Sequence, residues 1–145
     1  MQKKIQEFLK KFPKTETNKL LAPFTTFHIG GPADLYYKIT DLDEMPNLLA
    51  KTAELKLPIF ILGGGSNTIF ADNGLRGLVI HIQARKITIE NEHISSEAGI
   101  LLSQVIQFAL KHNLSGMERL MGLPGTIGGA VFGNAGAFGT EIKDV

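Results

Sequence analysis

Residues 58–67, Pro-Ile-Phe-Ile-Leu-Gly-Gly-Gly-Ser-Asn, run from a short apolar segment straight into three consecutive glycines. The continuous apolar run of residues 58–62 predicts a short strand that is buried on both faces. Glycine lets successive backbone N–H groups converge, so residues 63–65 at the end of a rigid strand predict an anion-binding nest. Ser66 and Asn67 add hydroxyl and amide donors. A phosphate or pyrophosphate suits this loop, and an ordinary turn is the alternative.

The loop lacks the features of two common nucleotide-binding motifs. It contains no Gly-Lys-Ser/Thr ending, which in a P-loop supplies the lysine and the metal-binding hydroxyl. Counted from Gly63, the sixth position is Thr68, so the Gly-x-Gly-x-x-Gly pattern is also absent. The sequence therefore argues against a P-loop and against a Rossmann dinucleotide site.

A second glycine-rich stretch spans residues 122–139, Gly-Leu-Pro-Gly-Thr-Ile-Gly-Gly-Ala-Val-Phe-Gly-Asn-Ala-Gly-Ala-Phe-Gly. Residues 124–126, Pro-Gly-Thr, predict a helix N-terminus with Thr126 as N-cap, a place where a phosphate binds favourably. Residues 134–136, Asn-Ala-Gly, offer backbone donors and acceptors to the edge of a heterocycle. The alternative is close helix packing through small residues. Together the two stretches imply a ligand with a pyrophosphate and a planar head group.

The remaining sequence alternates between strand and helix patterns. Asp41 and Glu44 form an Asp-x-x-Glu capping box at the start of the second predicted helix. Residues 13–23 predict a polar linker, residues 24–27 an extended segment, and residues 72–74 a turn. The predicted strands span residues 33–39, 58–62, 68–70, 78–82, 86–90 and 93–97, and the predicted helices span residues 3–12, 42–55 and 101–111. These elements indicate an α+β fold with two small lobes joined near residues 83–86.

Composition excludes several classes of protein. The 145 residues are 43% hydrophobic and 20% charged, as expected of one folded domain. The net charge of +1, with scattered basic residues, argues against a nucleic-acid partner. The absence of cysteine excludes disulfides, thiolate metal sites and a cysteinyl cofactor link. No apolar run predicts a membrane span, so we expect no membrane partner and a cytoplasmic location.

The four histidines predict no metal site and no catalytic centre. None of them lies at metal-ligand spacing from another. His28 precedes the Ile-Gly-Gly of residues 29–31, where a role at the end of a strand is expected. His81 falls on a predicted strand and is interpreted as a surface or hydrogen-bonded residue.

Four motifs, in this order, resemble the UDP-N-acetylenolpyruvoylglucosamine reductase family. They are residues 25–34 (TTFHIGGPAD), 62–67 (LGGGSN), 122–130 (GLPGTIGGA) and 134–139 (NAGAFG). The resemblance implies an α+β fold, the two-lobed FAD-binding domain of the vanillyl-alcohol-oxidase or PCMH type, which is not a Rossmann fold. It implies a helix and arm at residues 1–19, a first lobe at 20–83 and an incomplete second lobe at 84–145, with the C-terminal substrate domain absent.

The resemblance also implies non-covalently bound FAD. The first glycine loop would bind its pyrophosphate, and the second glycine-rich stretch would surround the rest of the dinucleotide and the isoalloxazine edge. The residues assigned to the cofactor in this way are Leu62, Gly63, Gly64, Gly65, Ser66, Asn67, Gly122, Pro124, Gly125, Thr126, Gly128, Gly129, Asn134, Ala135 and Gly136.

The family reaction belongs to peptidoglycan precursor synthesis. NADPH reduces FAD, the flavin passes hydride to the enolpyruvyl ether of a UDP-sugar, and a serine protonates the resulting enol. An arginine and a glutamate polarise the substrate carboxylate. The family's Tyr-Arg-x-Ser motif would follow residues 134–139, and the sequence stops at Val145. We therefore expect a fragment that retains most FAD contacts and holds no catalytic residue.

Two other functions stay open at this point. One is another FAD-linked oxidoreductase of the same fold, such as a sugar or aldonolactone oxidase; many of these tether the flavin through a histidine near the first glycine loop, which contains none here. The other is a non-catalytic nucleotide-binding module. Phe138 stands where the reductase family usually has tyrosine.

Overall fold

A computed structural model describes residues 2–145. The chain divides into two compact units, the first ending at Ile82 and the second beginning at Gln83. Each unit has its own secondary structure.

The first unit is built on a four-stranded sheet in the order β1-β2-β4-β3. Strands β2, β4 and β3 are parallel, and β1 pairs with β2 in the antiparallel sense. The strands are β1 (Glu16–Leu20), β2 (Pro32–Ile39), β3 (Ile59–Leu62) and β4 (Leu75–Ile82). The predicted strands at residues 33–39 and 78–82 are confirmed.

Several predicted details of the first unit are wrong. Residues 16–20 of the predicted linker form β1, and a 3-10 turn at residues 22–24 covers the end of that linker and the first residue of the predicted extended segment. Residues 68–70 form no strand. Strand β3 is not buried on both faces, because it pairs with β4 alone at the edge of the sheet; Ile59 and Ile61 are 45% and 49% exposed. Continuous apolar sequence does not distinguish an edge strand from a central one.

Helices α1 (Gln2–Lys11) and α2 (Met45–Leu55) belong to the same unit. The Lys51 ammonium of α2 donates to Glu7 Oε1 of α1 at 2.5 Å and to Glu54 Oε1 at 2.7 Å. Asp41 caps a 3-10 turn at residues 42–44 by accepting from the Asp43 N–H at 3.0 Å, so its capping role is confirmed. Glu44 does not complete the box, because its carboxylate accepts from the Tyr37 hydroxyl instead.

The second unit contains two hairpins and two helices. Strands β5 (Ile87–Glu90) and β6 (His93–Ser96) form one antiparallel hairpin, and β7 (Gly136–Ala137) and β8 (Thr140–Glu141) form a smaller one. The helices are α3 (Leu102–Lys111) and α4 (Ile127–Phe132). The predicted strands near residues 86–97 and the helix near 101–111 are confirmed. A hydrophobic core forms around Leu102, Ile106, Leu120 and Ala130.

Candidate functional site

The glycine loop at residues 62–67 begins where β3 ends. Leu62 is buried and lies level with His81 of β4 at the carboxyl ends of these parallel strands. Ligands of open sheets with parallel strands bind at this end of the strands. Gly64 and Asn67 are exposed, whereas Gly63 and Ser66 are half-buried. The loop is therefore accessible to a ligand and is attached to a rigid element.

Four consecutive amides of this loop are available as donors. Within the first unit, the hydrogen bonds of the described residues include none donated by the backbone N–H groups of residues 64–67. Successive unbonded N–H groups are what an anion-binding nest requires. The residues present thus fit the pyrophosphate of a dinucleotide, and its binding here stays a prediction.

Gly65 joins this loop to the turn that precedes β2. Its φ is +66°, and a Cβ at this position would overlap the carbonyl oxygen of Phe24. Its own carbonyl accepts from the Thr26 N–H at 3.2 Å. Only glycine combines this left-handed conformation with this close approach. Two of the four motifs, residues 25–34 and 62–67, therefore pack against each other.

Gly31, in the motif at residues 25–34, is also required by close packing. The Gly31 N–H donates to the Ala71 carbonyl at 2.9 Å, and a Cβ at Gly31 would overlap the carbonyl oxygen of Asp72. The predicted turn at residues 72–74 is confirmed, and Gly74 donates to Ala71 at 2.9 Å. Thr25 Oγ1 lies 3.2 Å from the carbonyl oxygens of both Ala22 and Ile29. These contacts fix the backbone beside the glycine loop.

In the second unit, Thr126 caps α4 as predicted. Its hydroxyl accepts from the Gly129 N–H at 3.4 Å. The Gly128 N–H donates to the Ala98 carbonyl at 3.0 Å, and a Cβ at Gly128 would lie 2.6 Å from the Ala98 Cβ. The Gly125 carbonyl accepts from the Leu102 N–H at 3.0 Å. Gly125 and Gly128 therefore bond and pack within the unit.

Residues 134–136 use much of their hydrogen-bonding capacity inside the second unit. Asn134 donates through Nδ2 to Glu141 Oε2 at 2.9 Å and accepts through Oδ1 from the Lys143 N–H at 3.0 Å. Ala135 donates to the Ala130 carbonyl at 2.8 Å and accepts from the Ile142 N–H at 3.0 Å. Gly136 pairs with Glu141 in the small hairpin. Both backbone groups of Ala135 therefore bond within the unit, and a contact of residues 134–136 with a heterocycle edge stays a prediction.

The open positions of the second stretch lie elsewhere. Nothing lies within 4 Å of a Cβ built on Gly122, and a Cβ on Gly129 would meet only Thr126 Oγ1, at 3.5 Å. Pro124 is exposed, and Phe132 is 94% exposed. A ligand could therefore approach this unit at Gly122, Pro124 and Gly129.

A buried polar contact that no sequence pattern predicted joins β2 and β4. Tyr36 Oη and His81 Nδ1 lie 2.5 Å apart and share a hydrogen bond. His81 is therefore a buried, hydrogen-bonded residue and not a surface one. Burial, together with the nearby Glu16 carboxylate, raises the pKa of Tyr36 to about 12, so the phenol stays protonated. The alternation of residues along β2 predicts the face of the sheet on which Tyr36 lies. It does not predict that His81 is the hydrogen-bond partner of Tyr36.

Residues 2–145 contain neither a metal-binding cluster nor a membrane-spanning helix. No cluster of three or more histidine, aspartate or glutamate side chains is arranged to hold a metal ion in that range. None of the helices described there has the length and hydropathy required to cross a membrane.

Comparison with known proteins identifies the family. The model of the "FAD binding domain" family matches residues 33–145. The UDP-N-acetylenolpyruvoylglucosamine reductase of Caldanaerobacter subterraneus subsp. tengcongensis is 43% identical over 98% of this chain, which covers 47% of that relative. The reductase of Clostridium novyi is 38% identical over 99% of this chain, again 47% of the relative. The chain thus spans about half the length of the curated relatives it matches.

Solved structures agree with this assignment. The crystal structure of UDP-N-acetylenolpyruvylglucosamine reductase from Thermus caldophilus is similar with a TM-score of 0.70 and 34% identity, over 86% of this chain and 44% of that one. The crystal structure of p-cresol methylhydroxylase with substrate bound gives a TM-score of 0.52 at 18% identity, over 78% and 25% of the two chains, and shows a shared fold. The predicted α+β fold of the vanillyl-alcohol-oxidase or PCMH type and the resemblance to the reductases are confirmed. The chain belongs to the FAD-binding domain family.

Proposed function

We propose that this chain is the FAD-binding part of a UDP-N-acetylenolpyruvoylglucosamine reductase and that residues 62–67 bind the pyrophosphate of FAD. The observation that carries the proposal is the run of four backbone N–H groups at residues 64–67, at the carboxyl end of a strand, that donate no hydrogen bond among residues 2–82 of the first unit. Similarity to reductases of this name over nearly the whole chain supports the assignment.

The loop suits the charge of a pyrophosphate. Its N–H groups would supply partial positive charge without a lysine, and the Ser66 hydroxyl would add a further donor. Gly64 is exposed and its φ is not positive, so its lack of a side chain serves ligand approach and not backbone conformation. Leu62, buried at the end of β3, anchors the loop.

The second unit would contact the rest of the dinucleotide. Gly122, Pro124 and Gly129 are the positions from which a cofactor can be touched directly. The other assigned residues of this stretch, among them Thr126, Gly128 and Asn134, would act by shaping the backbone, because their polar groups bond within the unit. In this proposal residues 20–83 and 84–145 are the two lobes of the FAD-binding domain.

The proposed reaction takes place in the cytoplasm on a small soluble substrate. FAD, once bound, would accept hydride from NADPH and deliver it to the enolpyruvyl group of the UDP-sugar. The residues of this chain would bind and orient the cofactor without a covalent bond. The proposal includes neither a nucleic-acid nor a membrane partner.

Replacing Gly64 with valine tests the pyrophosphate assignment. The branched side chain would add bulk at an exposed position of the loop, and we expect FAD affinity to fall by about tenfold or more. Gly133→Val is the matched control, because Gly133 is also exposed, its φ is −91° and a Cβ there would lie no closer than 3.5 Å to its nearest neighbour. Titration followed by flavin fluorescence measures both, with circular dichroism as the check on folding. Parental affinity in Gly64→Val would refute the assignment.

A further inference from the structure

Tyr36 and Tyr37 are neighbours in β2 with similar burial but different surroundings. Both are 3% exposed, and burial raises the pKa of each to about 12. Successive strand residues point to opposite faces of a sheet. The Tyr37 hydroxyl donates to Glu44 Oε2, and its ring meets Phe12 of the N-terminal segment edge-on with centroids 5.8 Å apart. Tyr36 faces the other side.

On that side, Tyr36 forms a compact group with Phe24 and His81. The Tyr36 and Phe24 rings stack with centroids 5.1 Å apart at 19°, and the Phe24 ring meets the His81 ring edge-on at 5.4 Å. The hydrogen bond between Tyr36 Oη and His81 Nδ1 closes the group. The Lys19 ammonium lies 5.7 Å from the Tyr36 ring and 5.8 Å from the Phe24 ring. The Phe24 ring is thus in contact with Tyr36, His81 and Lys19.

Phe24 connects this group to the glycine loop. Its carbonyl oxygen is the atom that leaves no room for a side chain at Gly65. Two residues later, the Thr26 N–H donates to the Gly65 carbonyl at 3.2 Å. Because Gly65 is packed this closely, a shift of the Phe24 backbone must move Gly65 and the amides that follow it.

We propose that Tyr36 is a positioning residue for the glycine loop: its hydrogen bond to His81 fixes the Phe24 turn, and that turn sets the direction of the backbone N–H groups at residues 64–67. Tyr36 does not touch the ligand. Its effect is on the affinity for the pyrophosphate of FAD, and this part of the inference rests on the proposed function. A residue that positions several N–H donors around one anion affects binding, because a small displacement of the donors weakens all of their hydrogen bonds to the anion at once.

Paired removal of the two hydroxyls tests the inference. Tyr36→Phe keeps the ring stacked on Phe24 and removes only the hydrogen bond to His81, whereas Tyr37→Phe removes the bond to Glu44 on the other face. We expect FAD affinity to fall about three- to tenfold in Tyr36→Phe, the range of one hydrogen bond, and to change less than about twofold in Tyr37→Phe. Flavin fluorescence titration gives the affinities, and urea unfolding shows whether the two variants lose comparable stability.

Amide hydrogen exchange distinguishes a local effect on the Phe24 turn from a general loss of stability, because a general loss would speed exchange at many amides and not at Thr26 alone. The Thr26 amide reports on the bond to the Gly65 carbonyl. We expect its exchange in the ligand-free chain to be faster in Tyr36→Phe and unchanged in Tyr37→Phe. Equal behaviour of the two variants in both measurements would overturn the positioning role.

Failure of the proposed function gives a different pattern. If Gly64→Val binds FAD as the parent does, the pyrophosphate assignment is wrong, yet the Thr26 exchange rates still decide whether Tyr36 holds the turn. If Gly64→Val loses FAD while Tyr36→Phe and Tyr37→Phe match each other, the assignment stands and the positioning role is refuted.

Discussion

The glycine loop at residues 62–67 and the glycine-rich stretch at residues 122–139 are built from the same small residue, but their backbone groups bond differently. In the loop, the N–H groups of residues 64–67 have no acceptor within the first unit among the described residues. In the second stretch, the N–H groups of Gly128, Gly129, Gly133 and Ala135 all donate to groups of the same unit. Glycine therefore accompanies unbonded amides in the first region, whereas in much of the second region the amides bond within the protein's own chain.

The difference shows why glycine density alone is a poor guide to a binding site. The second stretch holds seven of the sixteen glycines, yet Gly128 and Gly136 are needed because another part of the unit occupies the space of a side chain. A glycine indicates a ligand only when its side-chain space is open and the surrounding amides lack partners. Gly64 is the position at which we expect both conditions to hold.

The largest expected effect separates two adjacent glycines of the loop. Gly65→Ala forces a left-handed residue to carry a Cβ that overlaps the Phe24 carbonyl oxygen, so we expect a loss of roughly 2–5 kcal/mol in unfolding free energy. Gly64→Ala, exposed and without a positive φ, should stay within about 0.5 kcal/mol of the parent. Urea unfolding measures both. Similar midpoints for the two variants would show that the Phe24 turn does not hold the loop.

A second pair of variants tests the packing function of the other stretch. A Cβ on Gly128 would lie 2.6 Å from the Ala98 Cβ, so Gly128→Ala should cost about 1–3 kcal/mol through overpacking. Gly129, also within α4, meets only Thr126 Oγ1 at 3.5 Å, and Gly129→Ala should be stabilising by about 0.4–1 kcal/mol because the unfolded chain loses freedom. Thermal unfolding distinguishes the two. If Gly128→Ala is as stable as Gly129→Ala, the close contact with Ala98 is not important.

The smallest expected effect concerns pH and the small hairpin of the second stretch. Hydrogen bonds from Lys143 and Asn134 to the Glu141 carboxylate hold its pKa below the ordinary value of 4.5. The folded state therefore binds this proton less readily than the unfolded chain. Its contribution to stability is fully present above 4.5 and is lost as the pH falls through the lowered value.

Glu141→Gln removes the titration. The variant should be less stable than the parent near neutral pH, and the difference should shrink as the pH falls below the ordinary carboxylate value. Stability curves for both proteins across this range measure the effect. A difference that is constant with pH would show that the Glu141 carboxylate has no preferential interaction in the folded hairpin.

Much of the fold was predictable because it follows from local patterns. The alternation in β2, the helical spacing of α3 and the N-cap at Thr126 each depend on residues close in sequence, and each was predicted correctly. Strand β1 was missed because Glu16–Leu20 is mostly polar and becomes a strand only by pairing with β2. The exposure of β3 was missed because its position at the sheet edge depends on the order of strands, which no local pattern encodes.

By itself the sequence determined that a three-glycine loop follows an apolar strand, that four ordered motifs resemble the UDP-N-acetylenolpyruvoylglucosamine reductase family, and that cysteine chemistry plays no part in this chain. Tertiary structure decided which glycines leave room for a ligand and which are filled by the chain itself. It also placed Tyr36, Phe24 and His81, separated by up to 57 positions, in contact beneath the loop. The physical reason is that hydrogen-bond partners and side-chain space are set by segments distant in sequence, whereas backbone preference and hydrophobic period are set by neighbours.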